Sequence, residues 1–162
     1  MHVSLASLDS QTIDAALPAI RHIYARAFEF SDAATSDFIA KVFSLHRTCD
    51  GFQGRLAMTG AGDVVGFGYG YPSRPGRWWR EMIRPNLEAE GHAEWLTDAF
   101  EFVELAVDPD AQGIGIGRRL HDDLLDSVSQ TTALLSTGQQ ESPAIRLYRS
   151  SGWIPLVSDF QY

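Results

Sequence analysis

The stretch Phe100–Leu120 reads FEFVELAVDPDAQGIGIGRRL. Its first eight residues predict a strand, Asp108-Pro109-Asp110 a turn, and Gln112–Gly117 a glycine-rich loop. Leu120, Leu124, Leu125 and Val128 then recur as on one face of a helix. A strand feeding glycines into a helix start aims several unpaired backbone N–H groups at one point, and a helix N-terminus favours negative charge there. A Cβ at positions 113, 115 and 117 would block close approach of an anion and exclude positive φ. Each glycine weakens a helix start by about 1 kcal/mol relative to Ala, which a mere turn does not explain. With Arg118 and Arg119 adding charge beside it, the loop reads as a phosphate site.

Upstream, His2–Leu8 alternates as a strand does, and Asp9-Ser10 offers N-cap chemistry for a helix to about Phe28, with Pro18 expected to kink or divide it. Ser31-Asp32 opens a second helix whose apolar face is Phe38, Ile39, Val42, Phe43 and His46. Phe52–Thr59 and Val64–Tyr71 predict an antiparallel hairpin through Gly60-Ala61-Gly62-Asp63. Pro72–Ala99 is too apolar for a linker and predicts one or two helices between strands three and four. Trp78 and Trp79 sit there either as packing or as walls for a substrate. Downstream, Thr132–Thr137 predicts a short strand, Ser142–Ser151 a helix capped by Gly152, and Trp153–Val157 a further strand.

The whole is 162 residues, the length of a single domain, 1–162. Thirteen basic against 21 acidic residues leave a net charge of −8, which argues against nucleic acid or an anionic membrane as partner. Cys49, the single cysteine, excludes an internal disulfide and suits a reducing compartment as a half-buried apolar residue. With neither a leader-like N-terminus nor an apolar run of 18 residues, the chain is expected to be soluble and cytoplasmic.

A triphosphate-binding G-x-x-x-x-G-K-[ST] fails because Arg118-Arg119 follows the glycines, and G-x-G-x-x-G fails in both registers, meeting Arg118 or Leu120. His92 and Glu94 do not form H-E-x-x-H, G-x-S-x-G is absent, and no metal site is expected. His121-Asp122-Asp123 is expected to be a solvated helical face.

The spacing Val107-x-Pro109-x-x-Gln112-x-x-Gly115-x-Gly117-x-x-Leu120 resembles the acetyl-coenzyme A signature of the GNAT superfamily of N-acetyltransferases. The order of predicted elements resembles that family along nearly the whole chain. The resemblance implies an α/β fold with a mixed, mostly antiparallel sheet flanked by helices, a helical insertion between strands three and four, and a short or missing strand seven. It implies acetyl-coenzyme A as co-substrate and a primary amine of a small molecule or peptide as acceptor. In the family, the segment matching Gln112, Gly113, Ile114, Gly115, Ile116 and Gly117 wraps the pyrophosphate, with Arg118 and Arg119 beside it. The strand matching Leu105, Ala106 and Val107 pairs with the pantetheine arm, and backbone donors near Leu105 polarise the acetyl carbonyl. ESPAIRLYRSSGW is similar to a later family motif, matched at Ala144, Leu147, Tyr148, Gly152 and Trp153; Ser142 stands where the family often has a cofactor-contacting Asn.

Tyr148 is then the natural acid for the departing thiolate, since a phenol's pKa is near 10. The base that deprotonates the amine is expected on strand four, where Glu101 and Glu104 compete. Their odd separation puts them on opposite faces of a regular strand, a bulge would change the assignment, and the family pattern favours Glu101. After Gly152-Trp153, Ile154–Tyr162 is long enough for one strand and no return strand. An unpaired sheet edge would follow, met by a homodimer apposing or exchanging C-terminal strands, or by sequence continuing past Tyr162. The competing class is a catalytically idle, coenzyme A-binding regulatory domain; another acyl donor or a hydroxyl acceptor is the competing chemistry.

Overall fold

The computed structural model describes residues 2–160. Five strands form one mixed sheet in the order β1 (Val3–Leu8), β2 (Gln53–Thr59), β3 (Val64–Pro72), β4 (Ala99–Val107) and β5 (Thr132–Leu134). β1, β2 and β3 pair antiparallel in turn, and β5 runs parallel to β4. The chain divides into two compact units, one reaching Tyr71 and resuming over Phe102–Val128, the other Pro72–Glu101 with the chain from Ser129.

In the first unit, α1 (Ile13–Ala27) buries Ile13, Ala16, Ile20 and Ile23, the spacing of one helical face. Pro18 does not divide it. A proline inside a helix costs about 3 kcal/mol, whereas each buried isoleucine contributes about 1.5–3 kcal/mol. Pro18 also lies on the exposed face, where water reaches the carbonyl left without a donor. The helix starts later than Asp9-Ser10 suggests. The Asp9 carboxylate instead accepts from Gln11 N–H and Thr12 N–H at 2.9 and 3.2 Å, closing a turn that leaves Thr12 as N-cap.

The second predicted helix is a continuous run with three parts: α2 (Asp32–Asp37), a π-helical segment Phe38–Phe43, and α3 (Ser44–His46). Ser31 caps it, accepting from Ala34 N–H at 3.2 Å. The wider turn brings Phe38 and Phe43, five apart, into the same core and rotates Val42 outward, against the 3.6-residue expectation. Phe38 stacks on Tyr24 with ring centroids 3.7 Å apart.

The β2–β3 hairpin turns at Gly60-Ala61-Gly62-Asp63, as its sequence predicts. Ala57 pairs with Gly66 but Met58 with Val64, so Val65 is an extra residue, a β-bulge. Gly54 lies opposite Leu8, and a Cβ on it would sit 2.9 Å from Leu8 Cβ and 3.1 Å from Leu8 O. Overpacking of this kind costs typically 1–3 kcal/mol, so Gly54→Val is expected to lower the unfolding free energy by about 2 kcal/mol, read as a lower urea midpoint at unchanged m-value. An unchanged midpoint would mean that the strand pair yields there at no cost.

α5 (Ile116–Asp126) packs Ile116, Leu120 and Leu124 inward and stops short of Val128. His121 is buried with them, its ring 5.6 Å from that of Phe102 and its Nδ1 2.6 Å from Asp122 Oδ1. It is thus part of a packed face rather than a solvated one.

In the second unit, α4 (Trp78–Ala89) and a 3₁₀ turn at Ala93–Leu96 form the helical insertion between β3 and β4. Ile83, Leu87, Leu96, Ala99 and Leu134 make its core, with Trp79 against it and Trp78 66% exposed. α6 (Pro143–Ser150) ends in a left-handed Gly152, φ +87°, with Trp153 N–H returning to Tyr148 O at 3.1 Å. β5 stops at Leu134, short of Thr137, and Trp153–Val157 forms no strand. Pro155 lacks a ladder donor, and Leu156, Val157 and Phe160 are spent packing on the α4 cluster instead. Of the predicted C-terminal strand, positions 161 and 162 lie outside the described residues. Among the described residues no helix is long and apolar enough to cross a membrane.

Candidate active site

β4 leads through a 3₁₀ turn at Pro109–Ala111 into the glycine loop and then α5. Gly113 and Gly115 hold φ of +80° and +86°, and Gly115 is the N-cap of α5. Side chains rarely adopt that backbone. A Cβ at either position would meet nothing within 4 Å, so the space beside the backbone is open. Gly117 lies within the first turn of α5 and has no such requirement. The first N–H groups of α5 have no carbonyl a turn earlier in the helix to bind, and Gly115 has no side chain to cap them. These features fit an anionic group such as a pyrophosphate.

The loop's side chains hold it in shape. Gln112 Nε2 donates to Val107 O at 2.9 Å, closing the loop on the end of β4, and Arg119 Nη1 donates to Val3 O at 2.8 Å on β1. Ile114 and Arg118 are exposed, while Ile116 is buried.

Along β4 strict alternation slips by one residue. Val103 and Ala106, three apart, pack against the α1 cluster, while Leu105 and Val107 pack against the α5 cluster. Opposite faces for Glu101 and Glu104 therefore no longer follow from alternation alone. Glu104, half-buried, accepts a hydrogen bond from Leu105 N–H, yet burial outweighs that bond and pushes its carboxyl up to about 8. Two phenols feel its charge. Tyr24 is pushed up to about 12 by burial and then by Glu104, and Tyr69 well above the ordinary tyrosine value by burial first and then Glu104. Tyr69 is fully buried, its hydroxyl 3.0 Å from His46 Nδ1, and Tyr71 packs edge-on to the same imidazole. Glu104, Tyr24, Tyr69, His46 and Tyr71 therefore form one carboxyl-and-aromatic cluster. Of these, only Glu104 is singled out by sequence as chemistry; the alternation Gly68-Tyr69-Gly70-Tyr71 was the available signal for two more.

Glu101, in the second unit, is 2% exposed and accepts from Ser73 Oγ at 2.8 Å, while Arg80 Nη1 donates to that hydroxyl at 3.2 Å. Tyr148 is half-buried on α6, its ring 5.8 Å from that of Trp153. Ser142 is the N-cap of α6, accepting from Ile145 N–H at 3.2 Å. Its oxygen has a helix-capping task that an Asn at this position would share.

A family model described as an acetyltransferase (GNAT) domain matches residues 56–155, well over half of the chain. The chain belongs to the GNAT acetyltransferase family. A GCN5-like protein acetyltransferase of Mycobacterium tuberculosis is 34% identical over 107 residues, 61% of this GNAT chain and 52% of the relative. The chain thus spans about half the length of that curated relative. Among solved structures, an aminoglycoside acetyltransferase from an uncultured soil metagenomic sample superposes with a TM-score of 0.71 at 18% identity, covering 100% of this chain and 98% of that one. The aminoglycoside acetyltransferase AAC(6')-Iy, in complex with a coenzyme A–acetylneamine bisubstrate analogue, gives 0.65 at 11% identity, covering 100% and 97%. At those identities the likeness is one of fold, and the fold is the GNAT fold.

Proposed function

We propose that this GNAT chain transfers an acetyl group from acetyl-coenzyme A directly to a primary amine, with Glu104 as the general base. The observation that carries the reading is a carboxyl of raised pKa on β4, the strand that feeds an open, positive-φ glycine loop at the head of α5. Gln112–Gly117 and the first turn of α5 would hold the pyrophosphate, with Arg118 and Arg119 offsetting its charge. Leu105–Val107 would line the pantetheine arm. Acetyl-coenzyme A, when bound, supplies an activated thioester carbonyl. Glu104 takes a proton from the acceptor nitrogen so that its lone pair can form the new C–N bond at the thioester carbonyl as the C–S bond breaks and the thiolate leaves, a task suited to a base whose pKa lies near the working pH. Glu101 is the weaker candidate because its carboxylate is engaged by Ser73.

Tyr148 is the acid that the family resemblance assigns to the leaving thiolate. Tyr148→Phe is expected to lower kcat about tenfold or more while leaving coenzyme A affinity within twofold, because only proton donation is lost. Equal turnover would return Tyr148 to packing against Trp153.

The acceptor class follows from charge. A chain of net charge −8 attracts a cationic amine more readily than an anionic one. Both an aminoglycoside, as acted on by one structural relative, and a protein amine, as the name of the curated relative implies, are cationic. Steady-state rates on a panel of aminoglycosides and of peptides with free α- or ε-amines separate the two: the preferred class shows the higher kcat/KM. A preference for neutral or anionic amines would contradict the charge argument. A soluble, cytoplasmic setting is part of the same proposal, acetyl-coenzyme A being the donor.

A further inference from the structure

We propose that Arg26, near the C-terminal end of α1, is a positioning residue for the cofactor loop, fixing the turn that precedes it and offsetting part of the charge of the two aspartates in that turn. The inference rests on reading Gln112–Gly117 as the pyrophosphate site. Arg26 Nη1 donates to both carboxylate oxygens of Asp108, at 2.6 and 2.8 Å, and its Nη2 donates to Asp110 Oδ2 at 3.0 Å. Asp108 is 8% exposed, so its charge needs a partner. It is gripped from other directions as well. Its N–H donates to the carbonyl of Val65, the bulged residue of β3, at 2.9 Å; its Oδ1 accepts from Asp110 N–H at 3.0 Å; and His22 Nε2 is 3.7 Å from its Oδ2.

These contacts fix Asp108–Ala111, the only residues between the end of β4 and Gln112. A tilt of that turn shifts the backbone donors of the loop that follows it, and hydrogen bonds weaken steeply as their distance and angle depart from the preferred geometry. The second effect is electrostatic. Asp108 and Asp110 put two negative charges immediately before a site for a dianionic pyrophosphate group, and Arg26 touches both. Without it the pair repels the ligand, a repulsion that salt screens with a Debye length of about 10 Å at 0.1 M.

The test is calorimetric titration of coenzyme A into the full chain carrying Arg26→Met, Arg26→Lys, or Arg26→Met with Asp110→Asn, each checked for folding by circular dichroism. Arg26→Met is expected to raise Kd about tenfold at low salt, with the gap to the parent narrowing as salt is raised. Arg26→Lys, which keeps the charge but loses the two-pronged geometry, is expected to fall between. Asp110→Asn is expected to restore about threefold in the Met background by removing an unpaired charge. In turnover, KM for acetyl-coenzyme A rises while kcat changes little. Parent-like affinity in a folded Arg26→Met chain, or a loss that neither salt nor Asp110→Asn relieves, overturns the inference. Failure of the parent chain to bind coenzyme A overturns instead the pyrophosphate reading on which it rests.

Discussion

Gly115→Glu is expected to abolish coenzyme A binding, raising Kd by about a hundredfold or more in calorimetric titration. Three effects act together. Gly115 holds φ +86°, where a side chain costs about 1–2 kcal/mol, so the loop relaxes away from its shape. The added side chain enters the open space beside the loop backbone, where the ligand would lie. The added carboxylate also meets the positive end of α5 in place of the pyrophosphate, an interaction of about 0.3–2 kcal/mol transferred from ligand to protein. Gly115→Ala carries the first effect and, through its Cβ, part of the second, without the added charge, and is expected to lose about tenfold. A folded Gly115→Glu chain with unchanged affinity would remove the phosphate-loop assignment.

Glu104→Gln is expected to lower kcat/KM by about 10²–10⁴, the usual worth of a general base, and to change the pH profile. The sign follows from the direction of the shift. Burial raises the Glu104 carboxyl to about 8, so in the free chain at neutral pH it is mostly protonated and cannot accept a proton. Activity therefore rises with pH, about tenfold per unit, and levels off above about 8. Glutamine cannot titrate, so the variant loses that limb and keeps only whatever limb belongs to the amine itself. Glu101→Gln is the comparison, expected to lower stability modestly, because the Ser73 hydroxyl then donates to an amide oxygen instead of a carboxylate, while keeping the limb near 8. Should the limb vanish in Glu101→Gln and persist in Glu104→Gln, the two roles are exchanged.

Much of this was legible because it depended on local chemistry. Gly113 and Gly115 announce left-handed backbone, Asp108-Pro109 announces a turn, and the apolar spacing of α5 announces which face is buried. The antiparallel hairpin was written in Gly60–Asp63. What failed to show depended on the partner. Pro18 weighs as a helix breaker only until Ile20 and Ile23 are seen to be buried on the opposite face. Val42 belongs to the buried stripe only if the turn has 3.6 residues, and the π segment shifts it out. The strand expected at Trp153–Val157 gave way to packing against α4, a contact distant in sequence. For the site, Glu101 and Glu104 look equivalent in FEFVEL; they part only through the slip at Val103–Leu105 and through Ser73, 28 residues before Glu101. Arg26 was illegible for the same reason, being 82 residues from the Asp108 it holds.

Whether this GNAT fold catalyses transfer or only binds coenzyme A is decided by following free thiol while the chain is incubated with acetyl-coenzyme A and a panel of cationic amines, with product mass read in parallel. Thiol release matched mole for mole by an amine heavier by one acetyl group, rising with pH to a plateau above about 8, is the predicted result. Tight coenzyme A binding with no amine-dependent thiol release across the panel would contradict it and mark the chain as an idle binding domain.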